Sequence, residues 1–403
     1  MQLKRISLIS AALFAAPAAA FAQSTVQIYG TLNVDIESVE ATGSATGALG
    51  SNFQSRSRVT SNSSNLGFRG TEDLGQGLRA FYQIESQVNL DNGSQGGAFW
   101  ASRNSAAGLI GGWGQVLLGQ WDSPYKYSLV RLDPTGDTGI AAATGILGGT
   151  GGITAGQGGQ NFSERASFHR RVANVIQYWS PNWAGFSARL AYGTGDTNIG
   201  STANGVSEAS GLRPALYSGT VTFESGPWYA AVAAERHKDF QALNTLLAAP
   251  QSSGHDDGYK AGLQYSFNSS WSLGGIVEQL KYHADNINGL GSLERKVTNW
   301  YVTGKYTVGP HSVALAYGQK GEEKLSGAGF SDLPDSKAKQ ITARYGYSLS
   351  KRTQLYAIAT RISNDPNAFQ TFGNTPITPT LIFRDPARGA DPTGFGLGMI
   401  HTF

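Results

Sequence analysis

The sequence predicts an all-β fold, a closed antiparallel barrel of sixteen strands that crosses a membrane. Three observations predict it. Apolar and polar residues alternate with a period of two over many segments, the pattern of a strand with two unlike faces. Short turn-forming links alternate with long polar ones. Beyond its first 22 residues the chain contains no run apolar enough to cross a bilayer as a helix.

The first 22 residues read as a secretory signal. Met1-Gln2-Leu3-Lys4-Arg5 is a basic head, Ile6–Ala15 a short apolar middle, and Ala20-Phe21-Ala22 an A-x-A cleavage site. Residues 1–22 are therefore expected to be removed, leaving 23–403 as one barrel domain. Without Lys4 and Arg5 the formal charge of +3 falls by two, too near neutrality for a nucleic-acid partner. There is no cysteine, which excludes disulfides and cysteine metal sites. With 53 glycines, 8 Trp, 17 Tyr and 18 Phe but only 15% charged residues, the composition suits an exported β-protein.

The strands follow in order. Val26, Ile28, Gly30, Leu32, Val34 and Ile36 face one way and Gln27, Tyr29, Thr31, Asn33, Asp35 and Glu37 the other. The alternation returns in Leu78–Glu85, Phe186–Tyr192, Tyr217–Glu224, Tyr259–Phe267, Trp300–Tyr306 and Ile341–Tyr347. Trp271–Tyr282 and Thr353–Ile362 are strand-like but ambiguous in phase, and their faces stay unassigned. Arg69, Arg79, Arg189, Lys260, Lys305 and Arg344 fall on the polar face.

The links decide the architecture. Thr71–Gly77, Gly111–Gly114, Ser180–Ala184, Ser225–Pro227, Asn268–Ser270, Gly309–Pro310 and Leu349–Arg352 are short and rich in turn residues. Between them lie Ser38–Thr60, Asp91–Ala98, Asp122–Arg170, Gly195–Arg213, Asp239–His255, Ala284–Glu294, Glu322–Ser336 and Asn364–Asp391. Fifteen links imply about sixteen strands of roughly ten residues, within the range of bacterial barrels. A soluble β-protein with its apolar face inward would alternate in the same way. Strict short–long alternation, with short periplasmic turns and long external loops, and tyrosines near strand ends (Tyr192, Tyr217, Tyr259, Tyr345) favour the membrane barrel.

Several segments then resemble the Gram-negative porin family of trimeric general-diffusion porins: Val26–Gly30, Leu66–Leu78, Gly108–Gly119, Arg171–Phe186, Ser350–Ala357 and the terminal Gly398–Phe403. The resemblance implies a homotrimer set in lipopolysaccharide and outer-membrane lipid. It also implies a final aromatic, Phe403, read by the outer-membrane assembly machinery, and a third external loop folded into the lumen. Here that loop is Asp122–Arg170. A barrel of this size cannot be filled by side chains and leaves an aqueous channel, which such a loop narrows.

In the family, basic wall residues face acidic residues of the third loop. The resemblance places Arg103 and Arg171 on that wall, and strand phase adds Arg189. On the loop, Arg131, Asp133 and Asp137 are candidates for the constriction, with Glu164 and Arg165 near its return. Opposed charges across a narrow waterway set ion preference. Two departures from the family pattern, Asn65 and Ile400 where basic residues are common, temper the expected anion preference to a mild one. Arg56 and Arg58 of the first loop are the available compensation.

The expected function is passive diffusion of ions and small hydrophilic solutes, without cofactor or chemistry. G-x-S-x-G, H-E-x-x-H and Walker A motifs are absent, and six histidines are scattered. His255-Asp256-Asp257 resembles a catalytic or metal cluster only superficially. Asn33, Asp35 and Glu37 could hold a cation, though a wetted barrel wall explains them as well. The rival readings are a barrel enzyme, which needs a catalytic group at the rim, and a solute-specific channel or adhesin using Asp122–Arg170 and Asn364–Asp391.

Overall fold

The computed structural model describes residues 25–45, 52–94, 100–136, 139–149, 167–194, 213–243, 253–287, 289–373, 375–377 and 387–403. The expected signal segment lies outside these residues. Among them are eighteen strand segments. The first nine are β1 (Thr25–Thr42), β2 (Phe53–Ser61), β3 (Asn65–Gly75), β4 (Leu78–Gln87), β5 (Ser105–Gly111), β6 (Gly114–Asp122), β7 (Arg171–Trp179), β8 (Phe186–Thr194) and β9 (Ala215–Ser225). The others are β10 (Trp228–Lys238), β11 (Gly254–Ser266), β12 (Trp271–Ala284), β13 (Leu293–Val308), β14 (His311–Lys320), β15 (Lys324–Gly327), β16 (Ala338–Ser348), β17 (Thr353–Asn364) and β18 (Asp391–Thr402).

Eighteen segments make sixteen staves. The lower half of β1 pairs with β3 and its upper half with β2, so β2 and β3 are one stave interrupted at Asn62–Ser64. Likewise β13 pairs with β14 and, beyond it, with β15. Every neighbour is antiparallel, and β18 closes the sheet on β1 from Thr31↔Thr402 to Thr42↔Asp391. Closure pairs every stave on both sides, as a lipid environment demands.

The short links are tight because their residues permit it. Gln76 and Gly77 both take positive φ (52° and 78°) between paired Gly75 and Leu78, the two-residue turn whose twist matches the strands. Gly226-Pro227 and Gly309-Pro310 each place a glycine of φ 54° before a proline, the mirror-image alternative. The strands run further than the sequence suggested. β3 continues to Gly75, inside the Thr71–Gly77 link, and β1 and β2 reduce the first loop to residues 43–52.

The faces are those expected of a barrel in lipid. Val26, Ile28, Ile36, Ile84, Leu190, Val232, Leu263, Leu315 and Ile341 point outward and are exposed, whereas Asn33, Asp35, Glu37 and Glu85 are buried toward the lumen. Trp113, Trp183, Phe186, Trp228, Phe267 and Trp271 lie exposed beside the short turns, and Tyr192, Tyr217 and Tyr259 nearer the long loops. These are the two aromatic girdles of a barrel.

The two ambiguous strands are now resolved. In β12, Leu273 and Val277 are exposed while Ile276, Leu280 and Tyr282 are buried; in β17, Leu355 is exposed while Tyr356, Ile358 and Ile362 are buried. Both inner faces are mostly apolar, Glu278 and Thr360 apart, because they back the third long loop rather than water.

Candidate functional site

The third loop leaves β6 at Asp122 and turns at once. Ser123 caps a one-turn helix, α1 (Pro124–Tyr127), accepting from the Lys126 amide at 3.1 Å with Pro124 at the first helical position. The turn drives Tyr125 into the wall, where it is fully buried. Its amide donates to Ser218 Oγ of β9 (3.0 Å), and its hydroxyl donates to Glu278 Oε2 of β12 (2.9 Å). Lys260 of β11 donates to its carbonyl at 3.3 Å and sits 4.0 Å from the ring centre. Burial, then the Glu278 carboxylate, push the Tyr125 phenol well above its ordinary pKa, so it remains a donor.

From there the loop crosses toward the opposite wall. Leu129, Leu132, Ile140, Ala141, Ala143, Ile146 and Leu147 are buried in one cluster with Tyr229, Ile276, Tyr301, Ala316, Tyr356, Ile358 and Ile362 of the inner wall. Each large apolar side chain so buried contributes about 1.5–3 kcal/mol. Gly262 of β11 makes room for this, since a Cβ there would land on Leu132. Hydrogen bonds fix the path: Thr303 of β13 to the Leu132 carbonyl (3.3 Å), Gln340 of β16 to that of Ala142 (3.2 Å), and Gln370 to that of Gly145 (2.9 Å). The Gly148 amide returns to Glu278 Oε1 at 2.8 Å. Near the loop's end Phe168 stacks on His237 of β10 (4.4 Å between ring centres), and the Ser123 amide donates to the Arg170 carbonyl.

The residues singled out from sequence are distributed around this crossing. Arg103 and Arg171 stand together on the wall of β4–β7. Arg103 Nε donates to Glu85 at 2.7 Å; Arg171 donates to Asn104 at 2.8 Å and pairs with Asp122 at 3.3 Å. Arg189 of β8 lies between aromatic rings, 3.3 Å from the centre of Tyr127 and 4.0 Å from that of Trp179. Arg131 pairs with Glu224 of β9 at 2.5 Å, both side chains about half exposed (45% and 54%). Together Tyr127, Arg131, Trp179, Arg189, Glu224 and Tyr229 line a cavity of about 470 Å³.

Asp133 differs from the expectation of a charge facing the waterway. It is 3% exposed. One carboxylate oxygen accepts from the Thr135 amide (2.9 Å) and hydroxyl (2.6 Å), the other from the Ala143 amide (3.1 Å). It ties two parts of the loop together. Asp137, Glu164 and Arg165 lie outside the described residues.

The remaining sequence candidates resolve in the same way. Strand geometry divides His255-Asp256-Asp257: Asp256 is buried on the inner face, while Asp257 faces out and holds Arg236. Asn33 and Asp35 accept from the Tyr356 hydroxyl (2.9 and 3.0 Å), and Glu37 from Arg58 (2.7 Å). Among the described residues no cluster of three His, Asp or Glu is arranged to hold a metal. Arg56 lies 4.7 Å over the Phe53 ring, and Ile400 packs against the apolar cluster. Glu278 was missed in sequence because it lies in a strand of unassigned phase; a lone carboxylate among apolar neighbours was its only signal.

A model described as Gram-negative porin matches residues 9–367. Outer membrane porin protein 32 of Delftia acidovorans is 33% identical over 353 residues, 87% of each chain. An outer membrane porin protein of Bordetella pertussis is 27% identical, covering 89% of this chain and 94% of that one. The solved anion-selective porin from Comamonas acidovorans aligns with a TM-score of 0.70 at 25% identity, covering 94% of this chain and all of that one.

Proposed function

This chain belongs to the Gram-negative porin family, and on that premise we propose that the crossing from Ser123 to Gly149 is the constriction of its channel. The protein is an outer-membrane pore for passive diffusion of ions and small hydrophilic solutes. The observation that carries the constriction is the loop's anchorage from β9 to β16, which draws it across the lumen instead of leaving it on the rim.

Arg103, Arg171 and Arg189 are the wall side of the constriction and Arg131 its loop side, with Asp137 a further loop charge. Most of the arginines carry carboxylate partners, so the net field is small and the anion preference mild; the anion-selective description of the Comamonas relative agrees in sign. Asp133 shapes the loop and does not set the field. No catalytic step is part of this reading. The mature chain begins after residue 22, assembles as a homotrimer among lipopolysaccharide and lipid, and presents Phe403 to the assembly machinery.

Planar-bilayer recording tests this. Purified folded protein is expected to give ohmic conductance proportional to salt, in steps of three, with a reversal potential in a KCl gradient of anion-preferring sign. A folded protein that conducts nothing would falsify the pore, and a cation-preferring potential would overturn the assigned field.

A further inference from the structure

One cross-strand row on the outside of the barrel sets like charges against each other. Lys281 of β12 stands directly opposite Lys296 of β13, and Lys296 directly opposite Lys324 of β15. Their strand neighbours Leu280, Tyr282, Arg295, Val297 and Leu325 are buried toward the lumen, so three ammonium groups share the outer face. Directly opposed positions on one face bring Cβ atoms to about 4.5–5.5 Å, where like charges destabilise a sheet.

Although Glu294 is exposed on the same outer face, two residues from Lys296 and opposite His283 and Ser326, the row keeps a surplus of positive charge among the described residues. It continues sideways to Asp257 and Arg236, but those two satisfy each other in a bidentate pair (2.6 and 2.9 Å). Asp285 is engaged by His283 and Ser253, and Glu322 by Lys337. Among the described residues no carboxylate forms an ion pair with Lys281, Lys296 or Lys324. The flanking sequence 244–252 and residue 288 contain no Asp or Glu.

The level of the row says what it meets. Tyr259, in the outer girdle, stands opposite Gln279, two residues below Lys281, or about 7 Å along the strand. A girdle marks the border of the hydrocarbon, so the lysines face the headgroup layer rather than the waterway. Lysine stems can lie along the apolar wall while the ammonium reaches polar groups, and as a mobile point charge it suits phosphate from several directions. Cations at this level attract anionic headgroups.

We propose that Lys281, Lys296 and Lys324 form a binding site for the phosphate of an outer-leaflet lipid. The bound phosphate removes the repulsion built into the row and fixes a lipid against the β12–β15 wall. The proposal rests on the membrane placement of the barrel, but not on how the pore selects ions.

The test titrates detergent-solubilised full-length protein with diphosphoryl lipid A and counts bound lipid by native mass spectrometry. The triple variant Lys281→Ser/Lys296→Ser/Lys324→Ser is expected to bind at least about ten-fold more weakly at low salt, and dephosphorylated lipid A to bind both proteins alike. The control Lys351→Ser/Arg352→Ser, in the exposed short turn between β16 and β17 at the other end of the barrel, should match wild type. Lys296→Glu gives a second test: a carboxylate between two lysines should raise thermal stability while lowering lipid binding. Unaltered conductance of these variants in bilayers separates failure of the site from failure of the pore reading. Equal binding by wild type and triple variant, equal loss in the control, or displacement of the lipid by millimolar inorganic phosphate would each overturn the proposal. So would a triple variant that alters subunit assembly and leaves lipid binding intact, since the row would then be a protein contact.

Discussion

The Tyr125 hydroxyl donates to one oxygen of Glu278 at 2.9 Å, while the other oxygen takes the Gly148 amide at 2.8 Å. A single wall carboxylate thus holds both ends of the crossing segment, and Asn299 adds a third donor at 3.1 Å. Removing one partner of a buried charged network costs about 3–5 kcal/mol. In Glu278→Ala the closed barrel should survive while the loop loosens. Hydrogen exchange over 125–148 is expected to speed up and single-channel current to become noisier. Unchanged exchange and a quiet current would mean that the apolar cluster alone holds the loop.

Arg131 and Glu224 call for a different expectation, because both are about half exposed. Such a pair contributes roughly 0–1 kcal/mol to stability, but its charges border the cavity beneath the loop. Arg131→Ala should leave heat stability nearly unaltered and lower the anion-to-cation permeability ratio by about two-fold. Glu224→Gln should raise that ratio. Reversal potentials in a KCl gradient read both; equal potentials in the two variants and wild type would remove the pair from the selectivity field.

What could be read in advance divides along physical lines. Alternation and turn chemistry fixed the staves wherever one side of a strand meets lipid and the other water, as at Val26–Glu37. They failed at β12 and β17, where Ile276, Leu280, Tyr356 and Ile358 face a packed loop and the polar inner face disappears. The same packing hid Glu278. Glycines and threonines give the third loop a linker's composition, yet Leu129, Leu132, Ile140, Ile146 and Leu147 already contained the material of a buried cluster. For Asp133 the local signal was Asp-Pro-Thr, a turn in which the carboxylate serves its own backbone; a count of loop charges could not register that.

Asp133 therefore gives a prediction that separates shape from field. Asp133→Ala removes three acceptor contacts from Thr135 and Ala143, and each buried donor left unsatisfied costs about 1–3 kcal/mol. The expected result is a wider spread of conductance levels with the mean reversal potential nearly unmoved. A clear shift of that potential, with conductance levels as sharp as wild type, would restore Asp133 to the field-setting charges.

The last prediction concerns acid. Glu323 accepts from Arg295 at 2.6 Å through both oxygens and pairs with Lys320 at 2.6 Å, all three buried. Burial by itself would raise the Glu323 pKa, but Arg295 and then Lys320 outweigh it, and the net shift is downward from the ordinary glutamate value. A carboxyl whose folded pKa lies below its unfolded one stabilises the structure fully above the unfolded pKa and loses that contribution as pH falls through the folded value. The 321–337 loop should therefore stay clamped at neutral and mildly acidic pH, and loosen only below the usual carboxylate range. Glu323→Gln, which leaves two buried cations without their anion, should loosen it already at neutral pH. Hydrogen exchange of residues 324–333 across a pH series, corrected for the intrinsic pH dependence of exchange, measures this directly. Loosening of the wild-type loop at or above the ordinary glutamate pKa would show that the clamp does not depend on the Glu323 charge.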